Sequence, residues 1–67
     1  MAAYLEEEEL KDNIWYKCET YNSEELVLQF IKKEDLFIDK DGEKYGWGEV
    51  RYVFKEVGDC ITNLSPN

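Results

Sequence analysis

The sequence predicts an α+β fold: one small acidic domain over residues 1–67, with a short N-terminal helix and a small, strongly bent antiparallel sheet of three to five strands. Three features of the chain point to it. Hydrophobic residues make up 43% and aromatic residues 15% of the sequence, more than a disordered chain holds. From Asn13 onward, side-chain character alternates with period two. Asp41-Gly42 lies between β-rich flanks, a strong short-range signal for a hairpin. A chain of 67 residues sits near the lower limit for an independent core, and its two Trp, five Tyr and three Phe supply the large buried areas that it needs.

Residues 3–11 are good helix formers, with Leu5 and Leu10 as inward anchors and Glu6–Glu9 near the positive end of the helix dipole. Repulsion among the four glutamates keeps that helix short. Next, Ile14, Tyr16, Cys18 and Thr20 face one way while Trp15, Lys17, Glu19 and Tyr21 face the other, as in a half-buried strand. Tyr21-Asn22-Ser23 then turns the chain. Residues 24–34 fit a strand or a helix. Alternation of Leu26, Leu28 and Phe30 with Val27, Gln29 and Ile31 leans toward strand, whereas Asn22 with Glu25 resembles a capping box and supports helix.

With Asp41-Gly42 as a two-residue turn, Lys40 faces Glu43 and Asp39 faces Lys44, both pairs of opposite charge. That register sets Ile38 beside Tyr45 and Leu36 beside Trp47. Beyond Trp47 the parity slips, because Val50, Tyr52 and Phe54 fall on the side opposite to Tyr45 and Trp47. A bulge or sharp bend at Gly46–Gly48 would return both sets to one core. After Val57, Gly58-Asp59 reads as a turn, Cys60-Ile61-Thr62 as a short edge strand, and Leu64–Asn67 as a frayed end.

Charge is the strongest global signal. Sixteen acids against eight bases give a net −8. Residues 1–25 hold eight of the acids and two of the bases, so −6 of the −8 lies there and −2 in the remainder. A field of this sign repels phosphates and attracts basic protein surfaces, which argues against direct binding of DNA or RNA. The apolar runs Leu26-Val27-Leu28 and Leu36-Phe37-Ile38 are far too short for a bilayer helix, and Met1–Glu6 has neither a basic start nor an apolar stretch. A cytoplasmic protein without membrane contact is the expectation. Cys18 and Cys60, without a secretory leader, read as reduced packing residues.

The chemistry-bearing patterns fail at named positions. Asp39-Lys40-Asp41-Gly42-Glu43 would need ligands at Phe37 and Gly48 to act as a calcium loop. A structural zinc needs four Cys or His ligands, and the chain has two Cys and no His. Neither thiol has a histidine base, Gly46-Trp47-Gly48 lacks the lysine and helix of a phosphate loop, and one small domain offers little material for a catalytic cleft. The expectation is a non-enzyme without catalytic residues, metal or cofactor.

Binding remains. The acids Glu6, Glu7, Glu8, Glu9, Asp12, Glu19, Glu24 and Glu25 gather on one side if the helix packs beside the first strand, with Trp15 as an aromatic anchor. Otherwise the glutamate run is a solvated face, and Trp15 is core beneath the helix. Trp47, opposite Leu36, is expected in the core. The favoured reading is an inhibitor or adaptor that occupies the basic, nucleic-acid-binding surface of a partner protein, as a nucleic-acid mimic. Compact, His-free, strongly acidic chains of this size are similar in character to phage-encoded inhibitors of host nucleases, polymerases or CRISPR effectors, a likeness of composition alone. The alternative is a structural module, monomer or homodimer, that self-associates through aromatic surface around Trp15 and Tyr21.

Overall fold

A computed structural model describes residues 4–59. Five strands, β1 (Trp15–Thr20), β2 (Glu25–Ile31), β3 (Leu36–Ile38), β4 (Lys44–Tyr45) and β5 (Val50–Gly58), form one antiparallel sheet in the order β4-β3-β2-β1-β5. Among the described residues the other regular element is a 3-10 turn at Glu7–Glu9. The regular structure among the described residues is nearly all sheet, with no α-helix, and the α+β expectation is overturned. The edge strand expected at residues 60–62 and the frayed end at 64–67 lie outside the described residues.

The helix fails for a geometric reason. Leu5 and Leu10 are five residues apart, which a helix would separate by about 140° around its axis. The glutamates between them leave no apolar stripe for a helix to bury. In the extended path that the chain takes instead, Leu10 is buried and Leu5 packs against the same core. This N-terminal strap is held mainly by its backbone. Leu5 N–H donates to the Val53 carbonyl (2.6 Å), Asn13 N–H to the Phe30 carbonyl (2.8 Å), and Lys11 N–H to the Tyr16 hydroxyl (2.7 Å).

The core lies on one face of the sheet. Tyr16, Cys18 and Thr20 from β1, Leu28 and Phe30 from β2, Phe37 from β3, and Val50 and Val53 from β5 are all buried. Burying each large apolar side chain contributes about 1.5–3 kcal/mol relative to exposure. Residues 24–34 contain strand β2 because its even-numbered row meets that of β1: Leu28 lies opposite Tyr16 and Leu26 opposite Cys18. Phe30, Phe37 and Trp47 pack edge-on and tilted, with centroids 5.0 to 6.0 Å apart. Trp47 also donates from Nε1 to Asp35 Oδ1 (2.9 Å), so its polar edge is satisfied while its rings cover the core.

Two hairpins use the same three-residue turn. Thr20 C=O accepts from Ser23 N–H (3.0 Å) and Asp39 C=O from Gly42 N–H (3.0 Å), with Ser23 at φ 67 and Gly42 at φ 85. This is a type I turn closed by a left-handed residue. The side chains at the first position repeat the logic: Asp39 Oδ1 accepts from the N–H groups of Asp41 and Glu43 (both 2.8 Å), Thr20 Oγ1 from those of Asn22 and Glu24 (both 3.3 Å).

The third residue in the Asp39–Glu43 turn corrects the expected register by one. Phe37, not Ile38, lies opposite Tyr45, and Ile38 lies opposite Lys44. A one-residue slip exchanges faces, so Phe37 and Tyr45 turn to the core side while Leu36 and Ile38 turn away from it. The expected bend is a turn rather than a bulge: Gly46 C=O accepts from Glu49 and Val50 N–H (2.9 and 3.2 Å), breaking the chain into β4 and β5. Both apolar sets still reach one core, as Trp47 and Val50 show. The irregularity falls instead within β5, whose pairing with β1 shifts register three times, leaving Arg51, Phe54 and Val57 without partners.

The shared turn makes opposite predictions for its two left-handed positions. A Cβ at Gly42 meets nothing within 4 Å, so Gly42→Ala carries only the conformational cost and should lower unfolding free energy by about 1–2 kcal/mol in urea titrations. Ser23→Gly removes that cost and should raise stability by about 0.5–1 kcal/mol.

Candidate functional site

β1 carries the residues that link the core to the acidic surface. Its even-numbered row is buried, so Trp15, Lys17 and Glu19 stand on the opposite face, which is half-buried at these positions. The strand rises about 17 Å from Trp15 to Thr20, and this length decides where the acids lie.

At the Trp15 end, the strap exposes Glu6, Glu7, Glu8 and Glu9. Glu6 N–H donates to Glu9 Oε1 (2.7 Å), which fixes the 3-10 turn. Asp12 Oδ1 accepts from Lys32 N–H (2.9 Å) and ties the strap to the end of β2. Between the strap and the β2–β3 turn is an open cleft of about 560 Å³, lined by Glu7, Glu8, Leu10, Phe30, Lys32 and Asp35. Its floor is apolar, since Leu10 and Phe30 are core residues, and three of its rim groups are carboxylates. Asp35 was not among the residues expected from sequence. It adopts φ 58 in the turn after β2, which sets its carboxylate beside Trp47 and the cleft.

At the other end, Glu24 and Glu25 flank the β1–β2 hairpin and Glu19 stands opposite Glu25. This like-charge pair is offset by Lys17, whose Nζ lies 3.5 Å from Glu25 Oε1. Both side chains are about half exposed, so the ion pair contributes little to stability. Glu24 joins Asp39 and Glu43 near Tyr45. Partial burial and these carboxylates raise the Tyr45 hydroxyl above its ordinary pKa. Glu24, Tyr45 and Glu49 also line a smaller open pocket of about 280 Å³.

The expected single acidic surface is therefore two. Glu6–Glu9 and Asp12 lie at one end with Asp35; at the other, Glu24 lies with Asp39 and Glu43 about Tyr45, while Glu19 and Glu25 stand beside Lys17 on the face opposite the core. Trp15 belongs to neither acid group. It lies on the sheet face away from the strap, which covers the core side through Leu5 and Leu10. The participation of Asp35, Asp39 and Glu43 was hidden because each sits in a turn whose loop length, not side-chain pattern, sets its position.

Among the described residues, no three His, Cys, Asp or Glu side chains converge as a metal site requires, and no helix is long and apolar enough to cross a membrane. Against protein-family models, curated proteins and solved structures, nothing matches this chain.

Cys18 is fully buried, and desolvation pushes its thiol up to about 12 from an ordinary 9.0 despite a backbone hydrogen bond involving Leu28. The neutral thiol is favoured in the folded state. Its contribution is complete below pH 9 and is lost as pH rises from 9 toward 12, because the unfolded chain ionises first. With Cys60→Ser removing the other thiol, Cys18 should resist aromatic disulfide reagents in mildly alkaline buffer and react fully in guanidinium. Unfolding free energy should fall above pH 9, less steeply in Cys18→Ala.

Proposed function

We propose that this chain is a protein-binding domain rather than an enzyme, and that it occupies a basic surface of a partner protein as an inhibitor or adaptor. The observation that carries this reading is the cleft whose apolar floor, Leu10 and Phe30, lies beneath the carboxylates of Glu7, Glu8 and Asp35. A lysine or arginine of a partner has matching parts: an aliphatic stem for the floor and a cationic head for the rim. The exposed Glu6–Glu9 run beside it extends the same charge toward neighbouring basic residues.

The finer reading is a nucleic-acid mimic. A protein groove that holds phosphates presents several basic groups in sequence, and this chain offers carboxylates at both ends of a rigid strand about 17 Å long. Such a domain associates quickly under electrostatic steering and releases its partner as salt rises. Phage-encoded inhibition of a host nucleic-acid enzyme is the setting that suits this chemistry, with the cytoplasm as its place.

Affinity capture from host lysate at low and high salt tests the reading. A partner with a basic groove should be retained at low salt and released at high salt. The pair Glu7→Gln and Glu8→Gln should weaken its binding about tenfold or more, equivalent to about 1.4 kcal/mol. Capture that ignores both salt and these substitutions would sink the proposal.

A further inference from the structure

The face of the sheet opposite the core carries a half-buried apolar set, Trp15, Val27, Ile31, Leu36 and Ile38. Among the described residues no helix or second sheet exists to form a layer over it. Stable domains bury sheet faces against a second layer, so this face is suited to an interface.

Its charge differs from that of the rest of the molecule. By strand register, Lys17, Lys44 and Lys55 share this face with Glu19 and Glu25, nearly balanced in a chain of net −8. It is the part of the surface that two such chains can bring together with least repulsion. Edge-to-edge joining is blocked elsewhere. β5 is broken by three register shifts and strapped by Leu5, and β4 has only two residues.

The row that β1 presents on this face names the occupant. Read every second residue it is Trp15, Lys17 and Glu19, and Tyr21, 61% exposed, follows in the hairpin turn just past the strand. Laid against an antiparallel copy of itself about residue 18, the row sets Lys17 on Glu19 twice over and brings each Trp15 to the hairpin end of the other copy, where Tyr21 lies. The neighbouring strand follows the same symmetry: Lys55 lies beside Lys17 and Tyr52 beside Glu19, so Lys55 comes to the Tyr52 of the copy, whose ring also stacks on Tyr4 and Arg51 of its own chain. We propose that a second copy of this chain docks here, forming a two-fold β-sandwich whose axis crosses β1 at Cys18.

Sedimentation equilibrium of the full chain tests this independently of the acidic cleft, which stays on the outer side of each copy. The mass should rise with concentration from 8.0 kDa toward twice that value in the high micromolar range. Lys17→Glu and Glu19→Lys, each checked for folding by circular dichroism, should each weaken dimerisation about tenfold or more. Combined in one chain, they recreate a self-complementary row and should restore the dimer. A monomer throughout this range would overturn the proposal. So would single variants that dimerise as the parent does, or a double variant that stays monomeric.

Discussion

The buried row of β1 is the contact on which the other elements depend. Tyr16, Cys18 and Thr20 stand on one side of a central strand and each serves a different neighbour. Tyr16 packs opposite Leu28, and its hydroxyl receives Lys11 N–H, holding the strap onto the core. Cys18 pairs with Leu26 on one side and Val53 on the other, tying β2 and β5 to the same layer. Thr20 pairs with Val50 while its hydroxyl closes the first hairpin turn. No described side-chain polar atom is left buried without a partner, so this small core carries no desolvation penalty of that kind.

A single sheet with one covered face divides the chemistry of the surface. On the core side, the strap and the Trp47 turn act as a partial second layer, and polar groups of the strap and of the β2–β3 turn form the rim of a cleft. Carboxylates concentrate there because a strap with only two inward leucines must expose everything between them. The opposite face is mixed in charge, with an apolar set that runs from Trp15 across Val27 and Ile31 to Leu36 and Ile38. The cleft proposed for a basic partner and the face proposed for a second copy are built from different residues, so occupying one leaves the other open.

Much of the local structure was legible in the sequence. The β1 alternation placed Tyr16, Cys18 and Thr20 inward, and Tyr21-Asn22-Ser23 marked the first turn, because a strand with one buried face must alternate and a tight turn needs residues tolerant of positive φ. The β3–β4 hairpin was visible, but its register was not. Asp-Gly suits a two-residue turn, yet Asp39 can also cap a three-residue one through two backbone N–H groups, and that small choice exchanged the faces of Leu36, Phe37 and Ile38. The acidic site was legible as a composition and not as a place. Eight acids close in sequence were divided by the length of β1, while Asp35, Asp39 and Glu43 joined them from distant turns.

What the sequence alone determined is therefore the local physics: alternating rows, turn chemistry and strong acidity. Tertiary structure decided the rest. Helix propensity at residues 3–11 is worth only tenths of a kcal/mol per residue, whereas an extended strap buries Leu10 and brings Leu5 against the core, and burial outweighed propensity. The same contest made the acidic domain a sheet with two acidic ends and one open face, since positions along a folded strand, not distances along the chain, decide which charges meet.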